Sequence, residues 1–438
     1  MDIKQLYEIY RKHPVVTTDS RDCKQGSIFI ALKGENFDGN RFAKSALDKG
    51  CSYVVIDEPE FATPGDERFI VVPDTLTAYK ELAREHRRQF NIPVIGITGT
   101  NGKTTTKELV SAVLAEKYNV MHTEGNFNND VGVPRTLLTL NATHDIAVVE
   151  MGASHPGDIK KLVEYVEPTC GLITNVGHAH LQGFGSFEGV KKTKGELYDF
   201  LAAHNGLLFL NEQNEDLVQM AAERNFGRVI SYGQTADVNV SGTVTACNPF
   251  LNFTWQQNLK QGGNEPVEQH THLIGSYNID NMLAAAAVGL YFGVSVEQIH
   301  HALDNYVPTN NRSQFVQTAS NRLIVDAYNA NPSSMKVALD SFALAPENNK
   351  MLILGDMREL GADSQKEHQA LVDRIANEHL ADVVWLVGPE FGRTDTAFRK
   401  FSDVEQVKKA IAEEQPRDMY ILIKGSNSTH LYELPKLL

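Results

Sequence analysis

Short, nearly continuous apolar runs alternate along this chain with segments in which apolar residues recur at helical spacing. That pattern belongs to parallel sheets buried on both faces. In the middle of the chain the runs fall at 93–98, 145–150, 171–176 and 206–211, and from about 309 the alternation restarts with runs at 323–326, 351–354, 383–387 and 420–423. The first ninety residues are smaller in scale, with apolar runs at 27–32 and 53–56, helical patterns at 41–49 and 75–89, and polar, glycine-bearing turns. A stretch at 238–273 reads as β-rich and carries a polar tract, Gln261-Gly262-Gly263-Asn264-Glu265, expected as a surface hairpin. The predicted fold class is α/β in three domains: a small N-terminal α/β domain (1–90), a central parallel-sheet phosphate-loop (P-loop) domain (91–308) and a C-terminal Rossmann-like domain (309–438).

One junction between periods carries chemistry. The run ending at Ile97 passes into Thr98-Gly99-Thr100-Asn101-Gly102-Lys103-Thr104-Thr105-Thr106, and helical spacing resumes at Lys107-Glu108-Leu109-Val110. Glycines let backbone N–H groups converge on phosphate oxygens, and a helix N-terminus adds partial positive charge. Lys103 would neutralise β- and γ-phosphates, and the Thr104 hydroxyl would hold magnesium. The loop is shorter than the standard one, with Ile97 where the first glycine usually stands.

Size and composition narrow the field. At 438 residues the chain exceeds one ordinary core, and 42% hydrophobic with 22% charged residues is a globular balance. No apolar run approaches the roughly 20 residues of a membrane span, and the start Met1-Asp2-Ile3-Lys4-Gln5 has no signal-peptide core, so a cytoplasmic location without membrane insertion is expected. The four cysteines, Cys23, Cys51, Cys170 and Cys247, lack metal-ligand spacing and read as buried free thiols. A net charge of -14 argues against nucleic acid as the main partner. A nucleotide needs only a local positive site.

Polar residues cluster at strand ends, where ligands of open α/β sheets collect. Glu150 closes an apolar run, either as a solvated strand-end carboxylate or as a magnesium ligand beside the loop. His178 and His180 follow another. The segment Gly189 to Leu197 reads locally as a solvated basic helix face. Asn278 and Asn281 share one face of a helix start and either cap it or meet a base edge. In the last domain Asp326-Ala-Tyr328-Asn329-Ala-Asn331-Pro332, Gly355-Asp-Met-Arg-Glu-Leu-Gly361 and Lys424-Gly-Ser-Asn427 each leave a strand, which makes a binding rim.

Taken together, these boxes resemble the Mur ligase family over essentially the whole chain. The resemblance rests on Gly99-Thr-Asn-Gly-Lys-Thr104, Thr123-Glu-Gly-Asn-Phe-Asn128-Asn129, Glu150-Met-Gly, Asn175-Val-Gly-His-Ala-His180, Lys194-Gly-Glu, Gly275-Ser-Tyr-Asn-Ile-Asp-Asn281, Asn311-Arg312 and the Asp326 to Pro332 box. It implies an ATP-dependent ligase joining D-alanyl-D-alanine to UDP-N-acetylmuramoyl-tripeptide through an acyl phosphate, acting as a monomer. ATP would lie on Gly99, Thr100, Asn101, Gly102, Lys103, Thr104 and Thr105, with Asn281 on adenine, Arg312 on phosphate and Asp326 on ribose. Two Mg2+ ions are implied, one on Thr104 and Glu150, the other on His180 and a carbamylated Lys194. The catalytic set implied is Lys103, Glu150, His180 and Lys194. Ser20, Arg21, Asp38, Asn128, Asn129, Tyr328, Asn329 and Asn331 would bind the two substrates, and the domains would hinge near 91 and 308.

Three positions depart from the family pattern: Asn40 stands where a histidine is usual, Gln182 where a glutamate is common, and Asn427 where an arginine often follows Lys-Gly-Ser. Two other readings stay open. One is a relative with other substrates, such as folylpolyglutamate synthase or the ligase adding the third amino acid; the other is a binding protein that uses ATP as a switch.

Overall fold

The computed structural model describes residues 2–34, 36–178, 181–258, 263–308 and 312–438, with the Leu181 side chain also left out. It divides into two compact units, one of Met1–Gly96, Asn119–Gly152 and Lys160–Thr169, the other of Ile97–Tyr118, Ala153–Ile159 and Cys170–Leu438.

In the first unit four parallel strands stand in the order Val16–Thr17, Ile28–Ile30, Tyr53–Ile56, Phe69–Val71. Alternate residues face opposite sides: Ile28, Ile30 and Val55 enter one cluster, Phe29, Val54 and Ile56 the other. Helix Ile3–Lys12 covers one side, started by a reciprocal Asp2/Gln5 capping box. Helix Thr75–Arg87 starts on Asp74, whose carboxylate accepts from Thr77 N. Strands Val120–His122 and Ile146–Glu150 also pair in parallel.

The second unit holds two sheets. In one, strands Cys170–Ile173, Leu207–Asn211, Arg228–Gly233 and Val240–Cys247 run parallel, then Phe250–Gln257 and Val267–Ile274 turn antiparallel. The other has six strands in the order Gln314–Gln317, Arg322–Asp326, Tyr420–Lys424, Lys350–Gly355, Val383–Val387, Arg399–Phe401. Leu352, Leu354, Leu386 and Leu422 fill the core on one face, and Met351, Ile353, Ile421 and Ile423 fill it on the other. Burial on both sides is why these strands read as unbroken apolar runs.

Several expectations change. The sequence pattern misses strands Phe69–Val71, Val120–His122, Arg228–Gly233, Gln314–Gln317 and Arg399–Phe401; the first is only three residues long, and the others are partly exposed and interrupted by polar residues. The run expected to 176 ends as a strand at Ile173, because the backbone beyond it turns to bond the glycine loop. Cys51 and Cys170 are buried free thiols, but Cys23 and Cys247 are half-buried. The hairpin expected at 261–265 lies partly outside the described residues. Among those described, no helix is long and apolar enough to cross a membrane.

Candidate active site

Strand Val94–Thr98 is wholly buried, and the chain leaves it through two glycines at positive φ, Gly99 at 146° and Gly102 at 78°. A Cβ on Gly99 would stand 2.0 Å from Thr174 Oγ1, so the loop can pass there only without a side chain. Helix Lys103–Ala115 then begins with Gly102 at its N-cap and no side-chain cap, which leaves its first-turn N–H groups to an anion.

The segment after Cys170–Ile173 fixes the loop. Thr100 N donates to Asn175 O at 2.9 Å and Asn101 N to Asn175 Oδ1 at 2.9 Å. Thr174 Oγ1 donates to Asn101 O at 2.6 Å, and Gly177 N to Thr100 Oγ1 at 3.0 Å. Lys103 Nζ lies over the loop, donating to Gly99 O at 2.7 Å and Thr100 O at 2.9 Å. Thr104 is buried in the first helical turn, with Thr105 half-buried beside it. Asn281 stands on the far side: its Oδ1 accepts from Thr106 Oγ1 at 2.9 Å, and its Nδ2 donates to Asn278 Oδ1 at 2.8 Å. Asn278 does not cap its helix; its amide bonds back to Ile274 O at 2.8 Å.

Glu150 is not the solvated carboxylate that its strand-end position allows. It is 1% exposed; Oε1 accepts from Asn128 Nδ2 at 2.7 Å, while Oε2 is buried with no hydrogen-bond partner among the described residues. An unmatched buried carboxylate oxygen costs several kcal/mol on the order of a lost ion pair unless a cation meets it, and a hard oxygen donor suits magnesium. The donor set therefore fits the ion, although no group of three or more His, Cys, Asp or Glu is gathered among the described residues. A magnesium ion that keeps waters and phosphate oxygens needs no such cage. Asn129 is spent locally, its Oδ1 accepting from Gly132 N at 2.8 Å.

Helix Phe187–Ala203 corrects the reading of 189–197 as a solvated face. Val190, Thr193, Lys194 and Leu197 are buried, Lys192 is exposed, and Lys191 pairs with Glu188 and Asp216. Lys194 is 2% exposed, with Nζ 3.5 Å from Ala153 O and 5.5 Å from the Phe184 ring centroid. His178 stacks on Phe187 at 4.8 Å. His180 lies outside the described residues.

On the six-stranded sheet, Asp326 forms an ion pair with the buried Lys424 at the end of the neighbouring strand. The Arg312 guanidinium lies 3.7 Å from the Tyr328 ring centroid, and its Nε is buried with no partner among the described residues. Asn329 Oδ1 accepts from Ala330 N at 2.9 Å, and Asn331 caps helix Pro332–Leu344. The aspartate of the Gly355 box is structural. Asp356 is sealed, accepting from Glu390 N at 3.0 Å and Phe391 N at 2.9 Å.

In the first unit Arg21 is exposed and paired with Asp19, whose carboxyl its hydrogen bonds hold down to about 2. Ser20 O accepts from Lys49 Nζ at 2.7 Å. Asp38 Oδ1 accepts from the buried Asn40, which also donates to Asp57 Oδ1 at 2.8 Å. Asn40 therefore fills its unusual position by bridging two carboxylates. Sequence reasoning gave Thr174 and Asn175 no part in holding the glycine loop, and it placed Lys424 on a binding rim rather than in an ion pair with Asp326. The polar residues interrupting the end of the 171–176 run were the signal for the first two; the pairing of Lys424 with Asp326 had no local signal.

Three family models match: "Mur ligase family, catalytic domain" over residues 14–94, "Mur ligase middle domain" over 97–289, and "Mur ligase, glutamate ligase domain" over 311–427. UDP-N-acetylmuramoyl-tripeptide--D-alanyl-D-alanine ligase of Escherichia coli (strain K12) is 36% identical over 431 residues, 97% of this chain and 93% of that protein. The solved structure of MurF from Acinetobacter baumannii superposes with a TM-score of 0.87 at 31% identity, covering 99% of this chain and 97% of that one. MurF ligase from Thermotoga maritima in complex with ADP gives a TM-score of 0.85 at 24% identity, covering 97% and 96%, a likeness of fold.

Proposed function

Because the chain belongs to the Mur ligase family, we propose that it joins D-alanyl-D-alanine to UDP-N-acetylmuramoyl-tripeptide at the expense of ATP, in the cytoplasmic assembly of a peptidoglycan precursor. The observation that carries this reading is the uncapped helix start at Gly102, with Lys103 over the loop and the Asn281 carboxamide against it.

The substrate's terminal carboxylate attacks the γ-phosphorus, forming a C–O–P bond as the bond to ADP breaks. The dipeptide amine then attacks the acyl carbon; a C–N bond forms, phosphate leaves and the nitrogen loses a proton. Loop N–H groups and Lys103 meet charge on the transferring group, mostly by position. Arg312 and Asp326 are assigned to phosphate and ribose, Asn281 to adenine, and Tyr328 and Asn329 to the dipeptide; Asn331, expected with them, is not assigned there, its amide being taken by the helix cap and Asn101. Thr104 and Glu150 would hold one magnesium, and His180 with a carbamylated Lys194 a second; when bound, these ions neutralise phosphate charge. A carbamate turns a repelling ammonium into an anionic oxygen ligand, which is the chemistry a buried lysine needs for that task. Residues 1–90 are assigned to the UDP end, with Ser20, Arg21 and Asp38, joined in substrate binding by Asn128 and Asn129; residues 91–308 are assigned to ATP and 309–438 to the dipeptide. Acyl phosphates hydrolyse in water, so closure over the intermediate is expected.

Phosphate release tests the assignment. It should require both the UDP-linked tripeptide and D-alanyl-D-alanine. Release with glutamate and a folate points instead to folylpolyglutamate synthesis, and slow release indifferent to every acceptor points to an ATP switch.

A further inference from the structure

Helix Pro332–Leu344 starts beside the glycine loop, and its first residues are bonded to two neighbouring segments. Asn331, 4% exposed, donates from Nδ2 to Asn101 Oδ1 at 2.9 Å. Two residues on, Ser333 Oγ accepts from His178 N at 3.2 Å and would lie 3.1 Å from a Cβ on Gly177. The two receiving segments are themselves joined, Asn101 N to Asn175 Oδ1 and Gly177 N to Thr100 Oγ1.

The orientation of the Asn331 amide is fixed by chemistry. Its oxygen accepts from Ser334 N at 2.8 Å as the helix cap, so its nitrogen must face Asn101, and the Asn101 group there must be the oxygen. A cap alone does not call for asparagine, since serine and aspartate serve as well. Serine is too short to reach Asn101, and aspartate carries no donor. Asparagine supplies both bonds.

We propose that Asn331 is a positioning residue for the ligation: through Asn101 it fixes the Asp326 to Asn331 box in register with the phosphate loop, so that the dipeptide end of the reaction faces the triphosphate. This rests on the ligase reading. Asn331 touches no reacting atom in this role; it acts through Asn101.

The test uses steady-state kinetics of the full chain with Asn331→Ser, Asn101→Ala and the double variant. Serine keeps the cap, so Asn331→Ser should melt close to the parent while kcat falls about 3- to 10-fold, the scale of one hydrogen bond, with KM for ATP moving less than about twofold. The double variant should be no slower than the slower single one, because both changes remove the same bond. Effects that multiply, an unchanged kcat in Asn331→Ser, or a lower melting temperature with full activity per folded molecule would each overturn the proposal, the last leaving Asn331 as a cap only. A parent that releases no phosphate with the dipeptide brings down the ligase reading, and this inference with it; a parent that is active beside independent variants brings down this inference alone.

Discussion

The carboxamide of Asn281 is packed against the α-carbon of Gly102: a methyl group there would stand 2.9 Å from Asn281 Oδ1. Gly102 also holds φ at 78°, a conformation costing an L-residue about 1–2 kcal/mol. Gly102→Ala should therefore lower ATP affinity at least about tenfold by calorimetric titration, and adding Asn281→Ala should not restore it, because the backbone strain remains. Parental affinity in Gly102→Ala would show that this turn does not shape the triphosphate site.

Lys103 bonds carbonyls of its own loop, so its loss should leave the fold in place. Lys103→Ala should retain the parent's circular dichroism and lose about 100-fold or more in kcat, as removal of a transition-state donor does. Near-normal turnover would remove the phosphate-loop assignment.

Of the three lysines at 191–194, Lys194 is buried, whereas Lys191 pairs with Glu188 and Asp216 and Lys192 is exposed. Lys194→Ala should abolish ligation and regain part of it when formate or acetate is supplied, while Lys192→Ala, at an exposed position, should turn over normally. Full activity in Lys194→Ala means another lysine carries the carbamate.

Glu167 accepts from Arg84 Nε at 3.2 Å and Arg88 Nη2 at 2.6 Å. Burial pushes its carboxyl up, but the hydrogen bonds and charge of Arg88 and Arg84 outweigh that and leave it below the ordinary 4.5. A depressed carboxyl stabilises the fold above the unfolded value, and the contribution fades as pH falls through the folded one. Glu167→Gln should melt roughly 1–3 °C below the parent at pH 7, with the gap closing below about pH 4.5. A gap that is constant with pH would place the effect in packing.

What the sequence determined is local. Strand, glycine turn and helix around Gly102 are written in consecutive residues, because periodicity and φ preference act over a few positions. The same holds for the sheet of Leu323, Met351, Val383 and Tyr420 runs, whose two-sided burial demands unbroken apolar stretches.

Tertiary structure alone decided the partners. Asn331 meets Asn101 across 230 positions, Asn281 meets Thr106 across 175, and Lys424 meets Asp326 across 98. Burial of Lys194 and the unmatched Glu150 oxygen are of the same kind. A side chain's charge state and hydrogen-bond partner depend on what packing brings to it, and no window of sequence contains both members of such a pair.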